Sequence, residues 1–454
     1  MKSIFIFRRD LRIFDNTSLN KCFEDSDEIY LFFIFDKKQF SQEINNYFSN
    51  KSFCFMISCL EKLSKEVGNK IHYIFEEDFE KIILNIKPDA IYFNLDYTPF
   101  AKQRDLKISL MKSVVSQNIQ IKCFEDYTLT TMYLRGSGNQ PYQVFTPYYN
   151  KVIKEKIRIP DNTFTKAQLI RKLKIIPKIK YDLFFNPIDC FDTSFSKEYY
   201  ETEKNLFVKP GRKEALKIIN NKNLLENYKQ LREDITKETT LLSAHIKFGT
   251  VSIREVGYAV KPYNELYRQI VWHDFYANLI CNFDPKKTVN SKSNFRGKNI
   301  KYQNSKSKFK AWCTGNTGFP IVDAAMRQLV LHGWIHNRLR LIVSNFLVLI
   351  LDIDWHYGEM FFAKNLIDYD PASNNGNWQW NAQVGVDRSS YYPRVFHPIK
   401  SQQKYDPNFE YCKRYLSNEE IYEAVPIVDF EKERERAVKY YDIVKHDKSN
   451  RDFF

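Results

Sequence analysis

Glycine is scarce in this chain: 13 of 454 residues, roughly 3% against a usual ~7%. Cysteine never clusters. Its eight positions (22, 54, 59, 123, 190, 281, 313 and 412) include no Cys-x-x-Cys pair. The grouped thiolates of a zinc or iron–sulfur site are therefore missing, and no metal cluster is expected. Long apolar runs are absent as well. The longest, Leu341 to Leu351, already contains Ser344 and Asn345 and stops at Asp352. That is too short to span a bilayer, so no membrane is expected among the partners. The start, MKSIFIFRRD, offers a run of only four apolar residues before Arg8, too few for a signal peptide. Apolar residues at 43% and charged ones at 27% exclude a disordered chain. The expectation is a soluble intracellular protein with scattered, reduced thiols.

What is present is a basic surplus and an aromatic load. Lys and Arg number 69 against 55 Asp and Glu, a formal charge of +14, which suggests a polyanionic partner without identifying one. Phe, Tyr and Trp make up 16% of the chain, although only six residues are Trp. The length is ample for a large buried core and suggests two or three domains.

Residues 1–130 alternate short apolar runs with amphipathic segments. Ser3–Phe7, Tyr30–Phe35, Ile71–Phe75, Ala90–Phe93 and Ile119–Phe124 read as strands, with Lys51–Glu66 and Arg104–Ser116 as helices between them. The alternation predicts an α/β domain with a parallel five-stranded, Rossmann-like sheet. FRRD follows the first strand where a GxGxxG turn would stand, so the standard dinucleotide entrance is absent. Over 131–202, prolines at 141, 147, 160, 177 and 187 break the pattern. No long periodic helix is expected there, and the segment reads as an inter-domain linker. From 203 to 454 apolar faces recur at helical spacing, at Glu214–Asn220, Arg254–Val260, Leu266–Asn282, Pro320–His332 and Trp334–Leu351. That half is predicted to be all-α. Ser252 and Glu255 form a capping box that starts one of its helices. Ten of the thirteen glycines fall after residue 200, which suggests that backbone there approaches something closely.

Three segments concentrate chemistry. Ile367 to Trp380, IDYDPASNNGNWQW, packs two carboxylates, four amides and two indoles between helices. A polar loop with an aromatic plug is one reading. A pocket for a planar, hydrogen-bonding molecule is the other, and it accounts for the donors and acceptors around WxW. Thr239-Thr-Leu-Leu-Ser243 precedes a helical run ending near Gly249; it is either a phosphate-binding corner or an ordinary Ser/Thr cap. Trp334-Ile-His-Asn-Arg-Leu-Arg-Leu341 places Asn337 and Leu341 on one helix face, with His336 and Arg340 on the adjacent one. Arginines in so apolar a helix need partners, and Asp368 or Asp370 is the candidate for Arg340.

Four motifs carry a resemblance: Phe7-Arg-Arg-Asp-Leu-Arg12 with Asp15-Asn16; Thr239–Ser243 with Phe248-Gly249; Trp334–Leu341; and Asp368–Trp380. In their order and spacing, from residue 3 to about 416, the chain resembles the photolyase/cryptochrome family, and within it the class I cyclobutane pyrimidine dimer photolyases. The resemblance implies an antenna domain (1–130), a linker (131–202) and a helical FAD-binding domain (203–454). It implies light-driven carbon–carbon lyase chemistry: photoexcited FADH⁻ gives one electron to a flipped-out dimer, the cyclobutane ring splits, and the electron returns. The implied partner is UV-damaged DNA, and the protein is expected to be a monomer. Tyr228 and Thr239, Thr240, Leu241, Leu242 and Ser243 match positions that hold the flavin's phosphates and ribityl chain. Asn374 matches the amide near flavin N5, Arg340 and Asp368 an ion pair against the isoalloxazine, and Asp370 lies beside it. Arg232 matches an arginine on the DNA backbone, Trp272 and Trp380 the indoles that bracket the dimer, and Asn337 and Arg338 residues facing the lesion and its phosphate. Leu341 and Arg394 fall on the same lesion side.

The chain also departs from the family pattern. Gln269 stands where dimer photolyases usually carry a glutamate to the damaged bases, and glutamine there is commoner in (6-4) photolyases and animal cryptochromes. Those are the alternative functions. The (6-4) enzymes, however, use a histidine pair where this chain has Asn337 and Leu341. His273 replaces a family arginine beside Trp272. Trp378 and Trp355 match the first two members of the internal electron chain, but Tyr302 holds the distal tryptophan position. Phe100 and Ala101 stand where Asn and Glu bind a folate antenna. A folate is therefore not expected; a deazaflavin, a second flavin or no antenna remains.

Overall fold

The computed structural model describes residues 1–40, 43–176, 187–190, 193–284, 288, 300–386 and 394–446. The chain divides into two compact units. The first comprises Met1–Leu134, Lys154–Lys222 and Leu241–Asp274; the second comprises Arg135–Ile153, Asn223–Thr240 and Phe275–Phe454.

In the first unit five strands form one parallel sheet: β1 (Lys2–Phe7), β2 (Glu28–Phe35), β3 (Ile71–Phe75), β4 (Ala90–Asn94) and β5 (Gln120–Phe124), ordered β3-β2-β1-β4-β5. They fall on the five predicted runs, with ends moved by a residue or two. The cause is burial on both faces: Ile4, Phe5, Leu31, Phe32, Ile71, Ile91 and Tyr92 are all solvent-inaccessible, as helix-covered parallel strands require. The helix expected over Arg104–Ser116 is two, Pro99–Ser109 and Lys112–Ser116, because Met111 between them is extended. Residues 131–202 are more regular than the prolines suggested. They hold the helices Phe145–Val152, Lys166–Lys172 and the twelve-residue Thr193–Lys204. Pro147 sits in the first turn of its helix, where a missing N–H costs nothing.

A buried ion network holds the first unit together after β1. Arg12 donates to Asp126 at 2.5 Å, Arg254 reaches both Asp126 and Asp15, and Arg158 closes on Asp15 from the surface. Arg254 belongs to the helix Ile253–Val260, whose start is the Ser252/Glu255 capping box. Gly249, at φ +62°, lies against the FRRD segment: a Cβ there would stand 2.2 Å from the Arg9 carbonyl oxygen. Only glycine fits such a contact.

The second unit is helical around one apolar core. Its main helices are Pro320–His332, Asn337–Asn345, Trp355–Asn365, Pro371–Asn381 and Phe430–His446. The predicted continuous run Trp334–Leu351 is shorter and changes pitch. It starts at Asn337, with His336 outside as the cap, and passes into a π-helical turn over Phe346–Ile350, every residue of which is buried. The extra residue in that turn keeps all five side chains in the core before Asp352, at φ +57°, ends it. Sparse glycines again mark close approach, since a Cβ on Gly376 would meet the Tyr276 ring at 2.2 Å. Seven described cysteines are free. Among the described residues no His/Cys/Asp/Glu group is placed to hold a metal, and no helix is long and apolar enough to cross a membrane.

Candidate functional site

The principal cleft of the second unit lies between the helices Asn337–Asn345 and Pro371–Asn381, with Phe362 and Leu366 at its base. Asn337, Arg340, Leu341, Asp368, Asp370, Asn374 and Trp378 all line it, within about 520 Å³ of space that is open to solvent on one side. Seven residues singled out from sequence thus converge on one surface. Arg340 donates through Nη2 to Asp368 at 2.8 Å and through Nε to the Ile335 carbonyl at 3.1 Å. Of the two carboxylates considered for Arg340, Asp368 is the partner. Asp370 instead caps the helix Pro371–Asn381, accepting from the Ser373 N–H at 2.9 Å.

Behind Asn374 stands a residue the sequence did not flag. Glu359 is 2% exposed, and its Oε1 accepts from the Tyr369 hydroxyl at 2.9 Å and from Asn374 Nδ2 at 3.4 Å. The Asn374 amide is thereby oriented from behind. The available signal was an acid in an otherwise apolar helical run, WHYGEMFF, beside a glycine. That glycine, Gly358, is where the Trp378 indole packs: a Cβ would stand 2.3 Å from its Cη2.

Rings outside the expected Trp378–Trp355–Tyr302 line also pack on Trp378. The rings touching Trp378 are Phe362, at 5.1 Å between centroids, and Trp312, edge-on at 6.3 Å. Trp355 is buried but stacks on His356 at 3.7 Å. Tyr302 is not a surface aromatic. It is half-buried against the helical core, and burial, reinforced by Tyr441 and Asp354, pushes its phenol well above the ordinary range.

Next to the cleft a cationic face is fixed by one buried histidine. His336 was placed on the helix by spacing, yet it precedes it. Its Nδ1 accepts from the Arg338 N–H at 3.2 Å, and Nε2 lies 3.3 Å from the Leu231 carbonyl oxygen. Burial lowers its pKa to about 4, so the ring is neutral with its proton on Nε2. Arg232 caps the short helix Tyr228–Leu231, and Tyr228 is half-buried at its start. Arg338 pairs with Glu233, which also lies 3.8 Å from Arg232. Trp380 is half-buried, and Arg394 is exposed with its carbonyl held by Asn345 at 2.9 Å. Thr239 is half-buried and Thr240 buried in this unit.

The remaining predicted residues belong to the first unit. Leu241, at φ +54°, is the N-cap of the helix Leu242–Lys247, and no side chain caps that end. The ordinary Ser/Thr cap considered for this segment is therefore not what forms, and Ser243 lies exposed inside the helix. Gln269 and Trp272 are half-buried on the helix Asn264–Asn282, with Gln269 Nε2 donating to the Glu265 carbonyl at 3.4 Å. His273 meets Asp274 at 3.1 Å and packs on the Tyr127 ring at 4.6 Å. A second cleft opens at the carboxyl ends of β1 and β4, lined by Arg8, Arg9, Asp10, Asn94, Asp96 and Tyr127 among others. It sits where the strand order reverses, the usual ligand crevice of such sheets. Arg9 lies over the Tyr127 ring at 4.5 Å and donates to the hydroxyls of Tyr97 and Tyr127. Burial and the neighbouring Arg104 bring Arg8 down to about 10. Phe100 and Ala101 start the helix Pro99–Ser109, with Ala101 buried.

Residues 3–166 match the family model described as DNA photolyase, and residues 266–425 match the model described as the FAD binding domain of DNA photolyase. A deoxyribodipyrimidine photo-lyase of Buchnera aphidicola (subsp. Acyrthosiphon pisum) is 33% identical over 446 residues, covering 91% of this chain and 87% of the relative. That of Escherichia coli K12 is 28% identical, covering 90% and 88%. Among solved structures, the archaeal photolyase from Sulfolobus tokodaii with two FAD molecules superimposes with a TM-score of 0.83 at 34% identity, over 98% of this chain and 100% of that one. A Synechocystis cryptochrome shares the fold at a TM-score of 0.81 and 24% identity, over 97% and 99%. With relatives at 33% and 34% identity spanning over nine-tenths of its length, the chain belongs to the DNA photolyase/cryptochrome family.

Proposed function

We propose that this protein is a light-driven lyase that splits cyclobutane pyrimidine dimers in DNA with FAD as its cofactor. The observation that carries the proposal is the single cleft in which Arg340–Asp368, Asn374 and Trp378 meet. Its chemistry suits a flavin: a guanidinium–carboxylate pair for the ring's polar edge, an amide oriented by Glu359, and an indole at the wall. Bound and photoexcited in its reduced form, FAD supplies the one electron that opens the cyclobutane ring and recovers it afterwards. The chain's own residues bind, orient and insulate. Arg340 and Asp368 would set the ring's electrostatic surroundings, Asn374 would offer its amide to the ring, and Phe362 and Leu366 would help exclude water from the cleft. Tyr228 and Thr239 to Ser243 are read as holding the phosphates and ribityl chain. Arg232, Arg338 and Arg394 are read as phosphate contacts, and Trp272 and Trp380 as stacking surfaces for the extruded dimer. Gln269 donates an amide N–H to a thymine carbonyl, which needs no charge on the side chain. Asn337 and Leu341 at the cleft wall lack the imidazoles of (6-4) repair, which favours the dimer as substrate.

Trp378 and Trp355, with Tyr302 as the distal donor, would carry electrons to an oxidised cofactor. The second cleft, with Arg9 against two tyrosines, suits a planar antenna such as a second flavin or a deazaflavin, and the Sulfolobus relative's two FAD molecules support the first. Chromophores released on denaturation test both assignments. One FAD per chain is expected from the principal site, with Arg340→Gln lowering retention. A colourless protein that takes up no FAD on reconstitution would refute the proposal.

A further inference from the structure

Arg232 and Arg338 are far apart in sequence but share one anion, the Glu233 carboxylate. The side chain of Glu233 is 45% exposed, and those of the two arginines are 23% and 26% exposed. An ion pair that wet contributes little to folding. Nor is Glu233 needed to bring the arginines together. His336 does that through backbone, binding Leu231, the residue before Arg232, with one ring nitrogen and the Arg338 N–H with the other. The Arg338 Nε is buried and has no hydrogen-bond partner. Glu233 thus leaves one of the Arg338 donors unused. Two pre-placed guanidiniums, one carboxylate between them and one idle N–H describe a clamp for an oxyanion with more acceptor oxygens than a carboxylate has. A tetrahedral phosphate is such an anion.

We propose that Glu233 is an internal competitor for the DNA phosphate oxygens that Arg232 and Arg338 are read as contacting. This rests on reading the face as the DNA-binding one. DNA binds by displacing the Glu233 carboxylate, so the protein gives up an intramolecular ion pair for each phosphate contact made there. Glu233 thereby lowers affinity for DNA of any sequence, damaged or not.

The test is DNA-binding affinity by fluorescence anisotropy on the FAD-loaded protein, with dimer-containing and undamaged duplexes across a salt series. Removing one unit charge a few ångströms from a phosphate changes affinity by about fivefold at low salt. Glu233→Gln is expected to tighten both duplexes by about that factor, with the gain fading as salt rises. Glu233→Asp, which keeps the charge, is expected to stay near wild type. In an Arg338→Gln background the gain from Glu233→Gln is expected to vanish. No tightening by Glu233→Gln overturns the proposal, as does a full gain that persists without Arg338. If Arg232→Gln and Arg338→Gln both leave DNA affinity unchanged, the DNA-face reading itself fails, a distinguishable result that takes the proposal with it.

Discussion

Gly358→Ala is a one-methyl perturbation whose effect can be worked from the packing around Trp378. In a regular helix such as Trp355–Asn365 the change should help, by about 1 kcal/mol of backbone entropy. Here the new Cβ stands 2.3 Å from Trp378 Cη2, and 2.5 Å from both Cζ3 and the Leu347 Cδ2. Carbon atoms pack at roughly 3.5–4.0 Å, so the indole must retreat by more than about 1 Å. Retreat away from the cleft is blocked: Trp378 is 2% exposed, with Phe362 and the solvent-inaccessible Trp312 packed against it. Overpacking of this kind costs about 1–3 kcal/mol, and a one-site clash of this depth belongs near the top of that range. Set against the helical gain, a net loss of about 1–2 kcal/mol is expected, a fall of about 1–2 °C in Tm for a cooperative melt of 454 residues. Near-ultraviolet circular dichroism follows both the melt and the indole's packing, and flavin photoreduction reports the displaced electron donor. Trp378→Phe in the same background should recover most of the lost stability. An unchanged or raised Tm with a wild-type aromatic spectrum would refute the packing argument.

Further outcomes follow from other features. Burial lowers His72, His245 and His336 to about 4 each, below the ~6.5 of an unfolded chain. The unfolded state therefore takes up protons first as pH falls. Stability is complete above about pH 6.5 and declines towards pH 4, by at most about 3 kcal/mol per histidine. Urea midpoints measured across that window should fall, and a flat profile would contradict the assignment. Tyr302→Phe should slow photoreduction, and the wild-type rate should depend on pH because an oxidised phenol must lose its proton; unchanged transient-absorption kinetics would remove Tyr302 from the chain. Trp380→Ala should weaken binding of dimer-containing DNA by about 10- to 100-fold, the scale of one lost base–aromatic stack, with little effect on undamaged duplex.

The sheet was legible because parallel strands covered on both faces read as short, largely apolar runs, as β1 to β4 do; the edge strand β5 carries Gln120 and Lys122 and is only partly buried. The Arg340–Asp368 pair was legible for a related reason: a guanidinium in so apolar a helix needs a carboxylate, and few were near the right motif. His336 was misplaced because spacing alone treats every residue of a run as helical, whereas its ring accepts the Arg338 N–H and so must precede the first turn. Leu241 as an αL cap was likewise invisible, since the neighbouring threonines and serine looked like better caps. Glu359 drew no attention in the sequence, since Tyr369 and Asn374 converge on it only in the folded chain. Trp312 took no part in the expected electron line, yet its ring lies edge-on to that of Trp378 at 6.3 Å between centroids. Contacts such as Arg338–Glu233, 105 residues apart, leave no trace in local sequence. In each of these cases the missing information is which segments meet, and that depends on tertiary packing rather than on local pattern.

The central claim is that the principal cleft holds a flavin that repairs cyclobutane dimers under light. The most direct measurement is repair by the purified protein with fully reduced FAD, using oligonucleotides that carry either a cyclobutane dimer or a (6-4) product. The account predicts that the dimer disappears under blue light and persists in the dark, while the (6-4) product is left intact. Persistence of both lesions under illumination, with FAD bound and reduced, would contradict it.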